Sequence, residues 1–334
     1  MNKFLRRILI YLVIVAFIGY ATIYIVTKLN LGKMLGESTM YAMWKYKKKL
    51  INSSYSGTTN VIIGDSRAMI GFNPIIIGHN TLNLAISGTT PFEGYSVLKQ
   101  FYLNNHIDTL IISFGIYHYL ESERLERWTL PYALPSKDDI NYLEAVERQF
   151  GRTIDNQKPK YSLYLKRKAI YFQNPIILRE TFVENLKQND YDPSALKMMA
   201  ETKGFNNPMK LDSCDQLNAE AGIEGIKKRF DPNPVIMSYV DSIYNLSVKN
   251  GASILFLIPP INHASLKHLE KKIFWKQYQR FKRDLQRKYP RMIFDTKYES
   301  LPNTYFYDAS HLNKTGAMFM SNYLKHKLDV HLKD

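Results

Sequence analysis

After residue 57, short runs of β-branched and aliphatic residues alternate with longer amphipathic segments. This alternation is typical of an α/β fold with a parallel sheet. The third run contains no charge and is mostly aliphatic, which favours a central strand buried on both faces. The apolar share of 45% is ample for the core of such a fold. The five runs predicted as strands are Val61–Ile63, Thr81–Ile86, Thr109–Phe114, Ser253–Ile258 and Met292–Phe294.

Helix signals lie between these runs. Thr90 and Pro91, with Glu93 at the third helical position, predict a capped helix that continues through Tyr102. The other predicted helices are Val235–Lys249, Leu266–Lys288 and a last helix capped by Asn313.

The third and fourth predicted strands are separated by a long stretch, about residues 119–233. A crossover helix needs only about a dozen residues. We therefore predict a helical insertion that forms a cap or subdomain beside the active-site end of the sheet. The whole α/β domain is expected over residues 58–330.

Ile8–Thr27 is a run of twenty residues without a charge, which as a helix matches the hydrocarbon core of a bilayer. A cleaved signal peptide is the alternative, but Lys28–Leu31 is a poor cleavage site. We predict a single-pass signal-anchor over residues 1–30. Three basic residues before the run favour a cytoplasmic N-terminus. The C-terminal domain is then exported, to the periplasm or the cell exterior.

Residues 31–57 are predicted to link the anchor to the domain. Met34–Leu50 in this linker has the pattern of a helix, either on lipid headgroups or solvated. The first fifty residues hold nine Lys and Arg against one acid, Glu37, and so carry about half of the net charge of +15. This placement favours a membrane surface over nucleic acid as the partner. The single cysteine, Cys214, excludes an internal disulfide and a cysteine-based zinc site.

The candidate chemistry lies where the predicted strands end, at the carboxyl edge of the sheet. Gly64-Asp65-Ser66 follows the first strand directly, so Ser66 begins the next helix, near its backbone N–H groups. Asp308 and His311 lie three residues apart near the end of the chain. A nucleophilic serine needs a base and the base needs an orienting carboxylate, so these residues predict a triad. Asp65 is interpreted as a turn residue and not as a catalytic acid.

Two neighbouring loops supply candidate oxyanion donors. The N–H groups of Ser66 and Gly88 are the backbone candidates, and Gly88 follows the second strand. Tyr117 or His118, after the third strand, is the candidate side-chain donor. The alternative for Gly88 is a plain turn glycine. The predicted chemistry needs no metal and no organic cofactor.

These ordered blocks resemble the SGNH/GDSL hydrolase superfamily: Gly64-Asp65-Ser66, Gly88, a glycine after the third strand, and Asp308-x-x-His311. The resemblance implies a flavodoxin-like three-layer α/β/α sandwich, a Ser66–His311–Asp308 triad and an oxyanion hole completed by an asparagine side chain. Gly115-Ile116-Tyr117-His118 stands where the family has Gly-x-Asn-Asp, so that asparagine is missing here. Loss of one oxyanion donor typically costs about a hundredfold in rate.

An N-terminal anchor before such a domain is similar to envelope proteins that work with membrane-bound O-acyltransferases, such as the D-alanyl-transfer and alginate acetyltransferase proteins. This resemblance implies a serine esterase or O-acyltransferase that acts on a cell-envelope glycan, with a membrane-bound O-acyltransferase as partner. The alternative is a non-catalytic scaffold or binding module of an envelope complex. The intact Ser, Asp and His favour catalysis.

Overall fold

The computed structural model describes residues 3–28, 39–57, 59–122, 125–130, 134–171, 193–207, 213–215 and 229–331. Five parallel strands form the main sheet in the order β2-β1-β3-β4-β6, and β5 pairs with β7 in a separate two-stranded parallel sheet. The strands are β1 Thr59–Gly64, β2 Thr81–Asn83, β3 Ile107–Ser113, β4 Ser253–Leu257, β5 Ile261–Asn262, β6 Met292–Asp295 and β7 Ser300–Leu301.

The predicted α/β fold with a parallel sheet is confirmed, and β3 is the middle strand of five. Every residue of β1 is buried, and β3 has one partly exposed residue near its start. Strand β2 is shorter than predicted, since it ends at Asn83. Its continuation still follows β1, because the N–H groups of Leu84 and Ile86 donate to the carbonyls of Ile62 and Gly64. The order changes direction at β1, which is where doubly wound sheets bind ligands.

The helices of the described chain fall before, between and after these strands. Those of eight or more residues are α1 Lys3–Lys28, α2 Thr39–Asn52, α5 Pro91–Phe101, α6 Lys137–Phe150, α7 Tyr161–Tyr171, α8 Pro193–Glu201, α9 Pro234–Lys249, α11 Ile273–Lys288 and α12 Lys314–His331. The shorter ones are α3 Ser66–Gly71, α4 Pro74–Ile77 and α10 His263–Leu269, with 3-10 turns at Ile116–Tyr119 and Asn303–Tyr305 and a π turn at Leu125–Thr129.

Two groups of helices cover the sheet. Helix α5 packs along α9, while α12 packs on α3 and α4. The Tyr289 hydroxyl, just after α11, donates to Asp241 of α9, which joins α11 to the first group. Crossovers between parallel strands are right-handed, so the two groups lie on opposite faces of the sheet.

Local capping signals agree with the structure at two helix starts. The Glu93 carboxylate accepts from the backbone N–H and the hydroxyl of Thr90, as the capping-box pattern predicts. The Asn313 side-chain oxygen accepts from the Gly316 N–H and caps α12.

The single helix predicted over Leu266–Lys288 is wrong, because α10 ends at Leu269 and α11 begins at Ile273. Leu269 and Phe274 are both buried in the core. In one continuous helix, residues five apart point about 140° away from each other. The break lets both side chains reach the core.

Helix α1 is long and apolar enough to cross a membrane over Lys3–Thr22, although a signal sequence would meet the same criterion. Its large apolar side chains, from Phe4 to Ile25, are exposed. This exposure fits a helix whose apolar surface is covered by lipid. The direction of the helix across a membrane stays a prediction.

Helix α2 lies against the domain core, and not on headgroups or in solvent as the sequence suggested. Met43, Trp44 and Ile51 on its inner face are buried in the main core. Lys47 is also buried, and its ammonium group donates to the carbonyls of Asn83 and Gly204, each at 2.6 Å. Burial lowers the pKa of Lys47 well below its usual value. Residues 34–38 of the predicted helix lie outside the described residues.

The described parts of the insertion are largely helical. Its first part forms a second apolar cluster against α5 and α9, with Leu143 and Ile154 fully buried beside Phe92 and Tyr239. The guanidinium of Arg167 is buried between two carboxylates, at 2.8 Å from Glu126 and 2.6 Å from Glu147. Much of the insertion, residues 172–192 and 216–228 above all, lies outside the described residues.

Trp44→Ala should destabilise the domain even though Trp44 precedes the first strand. Truncation of a fully buried tryptophan costs about 3–5 kcal/mol, because apolar contact is lost and a cavity remains. The measurement is the free energy of urea unfolding of the full chain in detergent. Lys45→Ala, at the exposed neighbouring position, is the control and should change it by less than about 0.5 kcal/mol. Equal stabilities for the two variants would contradict the packing of α2 on the core.

Candidate active site

The structure brings Ser66, His311 and Asp308 together from the two ends of the domain. The Ser66 hydroxyl oxygen lies 2.9 Å from Nε2 of His311. Nδ1 of His311 lies 2.8 Å from Oδ2 of Asp308. A carboxylate only accepts, so Nδ1 carries the proton and Nε2 is left to accept from the serine hydroxyl. The three groups therefore have the connectivity of a nucleophile, a base and an orienting acid.

The loop that carries Asp308 and His311 is closed by its own hydrogen bonds. Oδ1 of Asp308 accepts from the backbone N–H groups of Ser310 and His311, at 2.8 and 2.7 Å. The Tyr307 N–H donates to the His311 carbonyl at 2.9 Å. Burial alone would raise the pKa of Asp308, but the hydrogen bond and charge of His311 and these two N–H groups outweigh it and lower the pKa to about 2. Asp308 is therefore a carboxylate at neutral pH.

Ser66 is presented by the sharp turn from β1 into α3. A Cβ atom on Gly64 would overlap the Ser113 carbonyl of the adjacent strand, so only glycine fits at the end of β1. Asp65 then caps α3 by accepting from the Arg67 N–H at 2.8 Å. Ser66 is the first helical residue, where backbone N–H groups have no partner inside the helix.

The fully buried carboxylate of Asp65 joins the loops that follow β1 and β3. It accepts from the Gly115 N–H at 2.8 Å and lies 2.9 Å from Nε2 of His118. Burial opposes its ionisation, but the charges of His118 and Arg67 and these hydrogen bonds lower the pKa of Asp65 well below its usual range. Arg67 is itself buried, near both Asp65 and Asp308. This network holds the start of α3 against the neighbouring loop.

Gly88 lies in the loop after β2, next to the turn that carries Ser66. Its φ of 72° is in the left-handed region that favours glycine. The hydroxyl of Thr89 donates to the Gly64 carbonyl at 3.0 Å and ties the two loops together. Within the described residues, no hydrogen bond from the Gly88 N–H is present. That N–H group is thus a donor available to an oxyanion.

The two candidate side-chain donors of the oxyanion hole are both held by carboxylates. The Tyr117 hydroxyl donates to Glu121, and Nε2 of His118 faces Asp65. Neither contact is directed at Ser66, so the backbone N–H groups of Ser66 and Gly88 are the better supported donors.

Two further residues shape the site without having been expected. Thr89 holds the Gly88 loop, as described above, and the amide of Asn262 donates to the Ala309 carbonyl at 2.6 Å. Asn262 belongs to β5 and contacts a loop 47 residues later in the chain. Thr and Asn are ordinary turn and cap residues, so no local signal marks them. Within the described residues, no cluster of three His, Cys, Asp or Glu side chains could hold a metal ion.

No family model matches the chain, and no curated protein matches it. A solved structure named "putative platelet activating factor from Streptococcus pneumonia" is 14% identical, with a TM-score of 0.37. The match covers 92% of this chain and 98% of that one.

Asp65→Asn should destabilise the domain by about 3 kcal/mol or more, because it removes the fully buried carboxylate that faces Arg67 and His118. The folded-state pKa of Asp65 is lowered, so its contribution is present above the pKa of the unfolded chain, about 4. The stability difference between wild type and variant should therefore be constant near neutrality and shrink as the pH falls below about 4.

The measurement is the free energy of urea unfolding across that pH range. Asp284→Asn is the control, because the ion pairs of Asp284 with Arg280 and Arg287 are exposed. It should cost about 0–1 kcal/mol. An equally small cost for Asp65→Asn would show that the buried network adds nothing to the free energy of unfolding.

Proposed function

We propose that this protein is a membrane-anchored serine acyl-ester enzyme of the SGNH/GDSL type, either an O-acyltransferase or an esterase. The observation that carries the proposal is the continuous hydrogen-bonded chain Ser66–His311–Asp308 at the carboxyl edge of a parallel sheet. Such an edge is where open α/β sheets bind ligands. The strand order also fits the flavodoxin-like sandwich of that superfamily.

The geometry supports a two-step acyl transfer. The Ser66 hydroxyl attacks the carbonyl carbon of an ester while its proton passes to Nε2 of His311. The N–H groups of Gly88 and Ser66 stabilise the oxyanion that forms. His311 then gives the proton to the departing alcohol, and Ser66 keeps the acyl group. A water molecule or a sugar hydroxyl, deprotonated by His311, attacks the acyl-enzyme. His311 returns that proton to the departing Ser66 oxygen as the acyl group leaves with the acceptor. Asp308 holds His311 in its tautomer and stabilises the imidazolium throughout.

The site lacks the asparagine side chain that completes the oxyanion hole in the SGNH/GDSL superfamily, which argues against an efficient hydrolase. Tyr117 and His118 both donate to carboxylates, and neither of these contacts is directed at Ser66. Removal of one oxyanion donor typically slows catalysis by about 10²–10³-fold. The same observation favours the second candidate function, a non-catalytic module that binds or scaffolds an envelope polysaccharide-modification complex. Catalysis remains the better supported function, because a binding module has no need of a serine hydroxyl aimed at a histidine.

The helix α1 supports a place at the membrane. With its N-terminus in the cytoplasm, the domain is exported and acts on a cell-envelope glycan. A membrane-bound O-acyltransferase is the expected partner, since an exported acyl-transfer domain needs an acyl donor delivered across the membrane.

A fluorophosphonate probe should label Ser66 in the full-length protein. Ser66→Ala should abolish labelling, and His311→Ala should slow it by about 10³-fold or more, because the hydroxyl loses its base. Ser87→Ala, which removes a second serine at the same edge of the sheet, should leave the rate unchanged. The measurement is the labelling rate, with the adduct located by mass spectrometry. A wild type as inert as Ser66→Ala would support the scaffold function instead.

Asp308→Asn should slow labelling by roughly 10³–10⁴-fold, because an amide favours the wrong tautomer of His311. In the wild type the pKa of Asp308 is about 2. Asp308 therefore stays ionised from pH 4 to 9, so the slowing caused by Asp308→Asn should persist across that range. The measurement is the pH profile of labelling for both proteins. A wild-type profile unchanged by Asp308→Asn would contradict the role given to the carboxylate.

A further inference from the structure

Asn207 of the insertion bridges the two chain segments that carry the catalytic groups. Its amide nitrogen donates to the Ile70 carbonyl near the end of α3 and to the Leu312 carbonyl, each at 3.2 Å. Helix α3 begins with Ser66, and Leu312 directly follows His311. The side chain of Asn207 is 1% exposed, so both bonds are shielded from water.

Neighbouring parts of the insertion hold the same two segments. The Asn206 N–H donates to the Met69 carbonyl of α3 at 3.3 Å. The Cys214 N–H donates to the Phe306 carbonyl at 2.9 Å, at the other end of the loop that carries Asp308. Phe306 and Leu312 form a β-bridge that closes this loop. The insertion therefore touches the triad loop at both ends and α3 in its second half.

We propose that Asn207 is a positioning residue that sets the distance between the Ser66 hydroxyl and Nε2 of His311. The proposal rests on the proposed function, since it concerns the same nucleophile and base. One amide group donates one hydrogen to each segment, so the segments cannot separate without breaking a buried hydrogen bond. The insertion therefore contributes to catalytic geometry through this residue.

The reason that such a bridge matters is the steep dependence of proton transfer on distance. The Ser66–His311 contact of 2.9 Å joins groups 245 residues apart in the chain, so its length depends on how the two segments are held together. A displacement of about 1 Å at reacting groups can cost around a hundredfold in rate. Apolar packing supports the same junction, because Met69, Ile70 and Leu312 are all buried in the main core. The amide of Asn207 adds a polar contact that is directed at both segments at once.

A double-mutant cycle on the full chain tests the proposal with the fluorophosphonate probe. Asn207→Ala should slow labelling of Ser66 by roughly 10–100-fold in the wild-type background. In the His311→Ala background it should change the residual rate by less than about twofold, because the base whose position it controls is gone. An equal slowing in both backgrounds, or none in either, overturns the proposal.

A matched control is the neighbouring residue of the same segment. Asn206 is also buried, and its side-chain oxygen accepts no hydrogen bond from the described residues. Asn206→Ala should therefore leave the labelling rate within about twofold of wild type. If Asn207→Ala does not fold, Asn207→Ser keeps one donor and should give an intermediate rate in the same cycle. A different result, no reaction of wild-type Ser66 with the probe, would contradict the proposed function itself.

Discussion

Strands β1 and β3 are buried along almost their whole length, and the rest of the fold depends on covering both faces of these strands. A parallel sheet that hides both faces needs a crossover between each pair of strands and a layer of helices on each side. The carboxyl ends of all the strands then meet at one edge. Ser66, Gly88 and His118 follow three adjacent strands and come together for that reason alone. The turn after each strand then determines where the atoms of these residues lie.

Buried carboxylates hold these turns in place. Asp65 sits where β1 ends and accepts from Gly115 and Arg67 N–H groups while facing His118. Asp308 plays a comparable part in the last loop, where backbone N–H groups occupy one oxygen and His311 the other. Both carboxylates have a lowered pKa, so both stay ionised at neutral pH. A site held by fixed charges needs little rearrangement during a reaction, which is the condition for electrostatic catalysis.

The sequence was informative wherever a short pattern decides the structure. The five strand runs, the cap at Glu93 and the cap at Asn313 are set by neighbouring residues, and the structure has them. Long-range packing was not predictable in the same way. Helix α2 looks amphipathic and basic in the sequence, yet Trp44 and Lys47 are buried against the domain. The break before Ile273 depends on which side chains reach the core, and the bridge at Asn207 depends on segments more than a hundred residues apart. The hydrophobic periodicity of a sequence gives no signal for such long-range contacts.

The most direct measurement is a crystal structure of the protein after reaction with a fluorophosphonate. The account predicts phosphorus bonded to the Ser66 oxygen, with Nε2 of His311 still within hydrogen-bond distance. It also predicts the phosphoryl oxygen about 2.7–3.1 Å from the Gly88 nitrogen, where an oxyanion would lie. An unmodified Ser66 in the presence of excess reagent, or a phosphoryl oxygen turned away from Gly88, would contradict it.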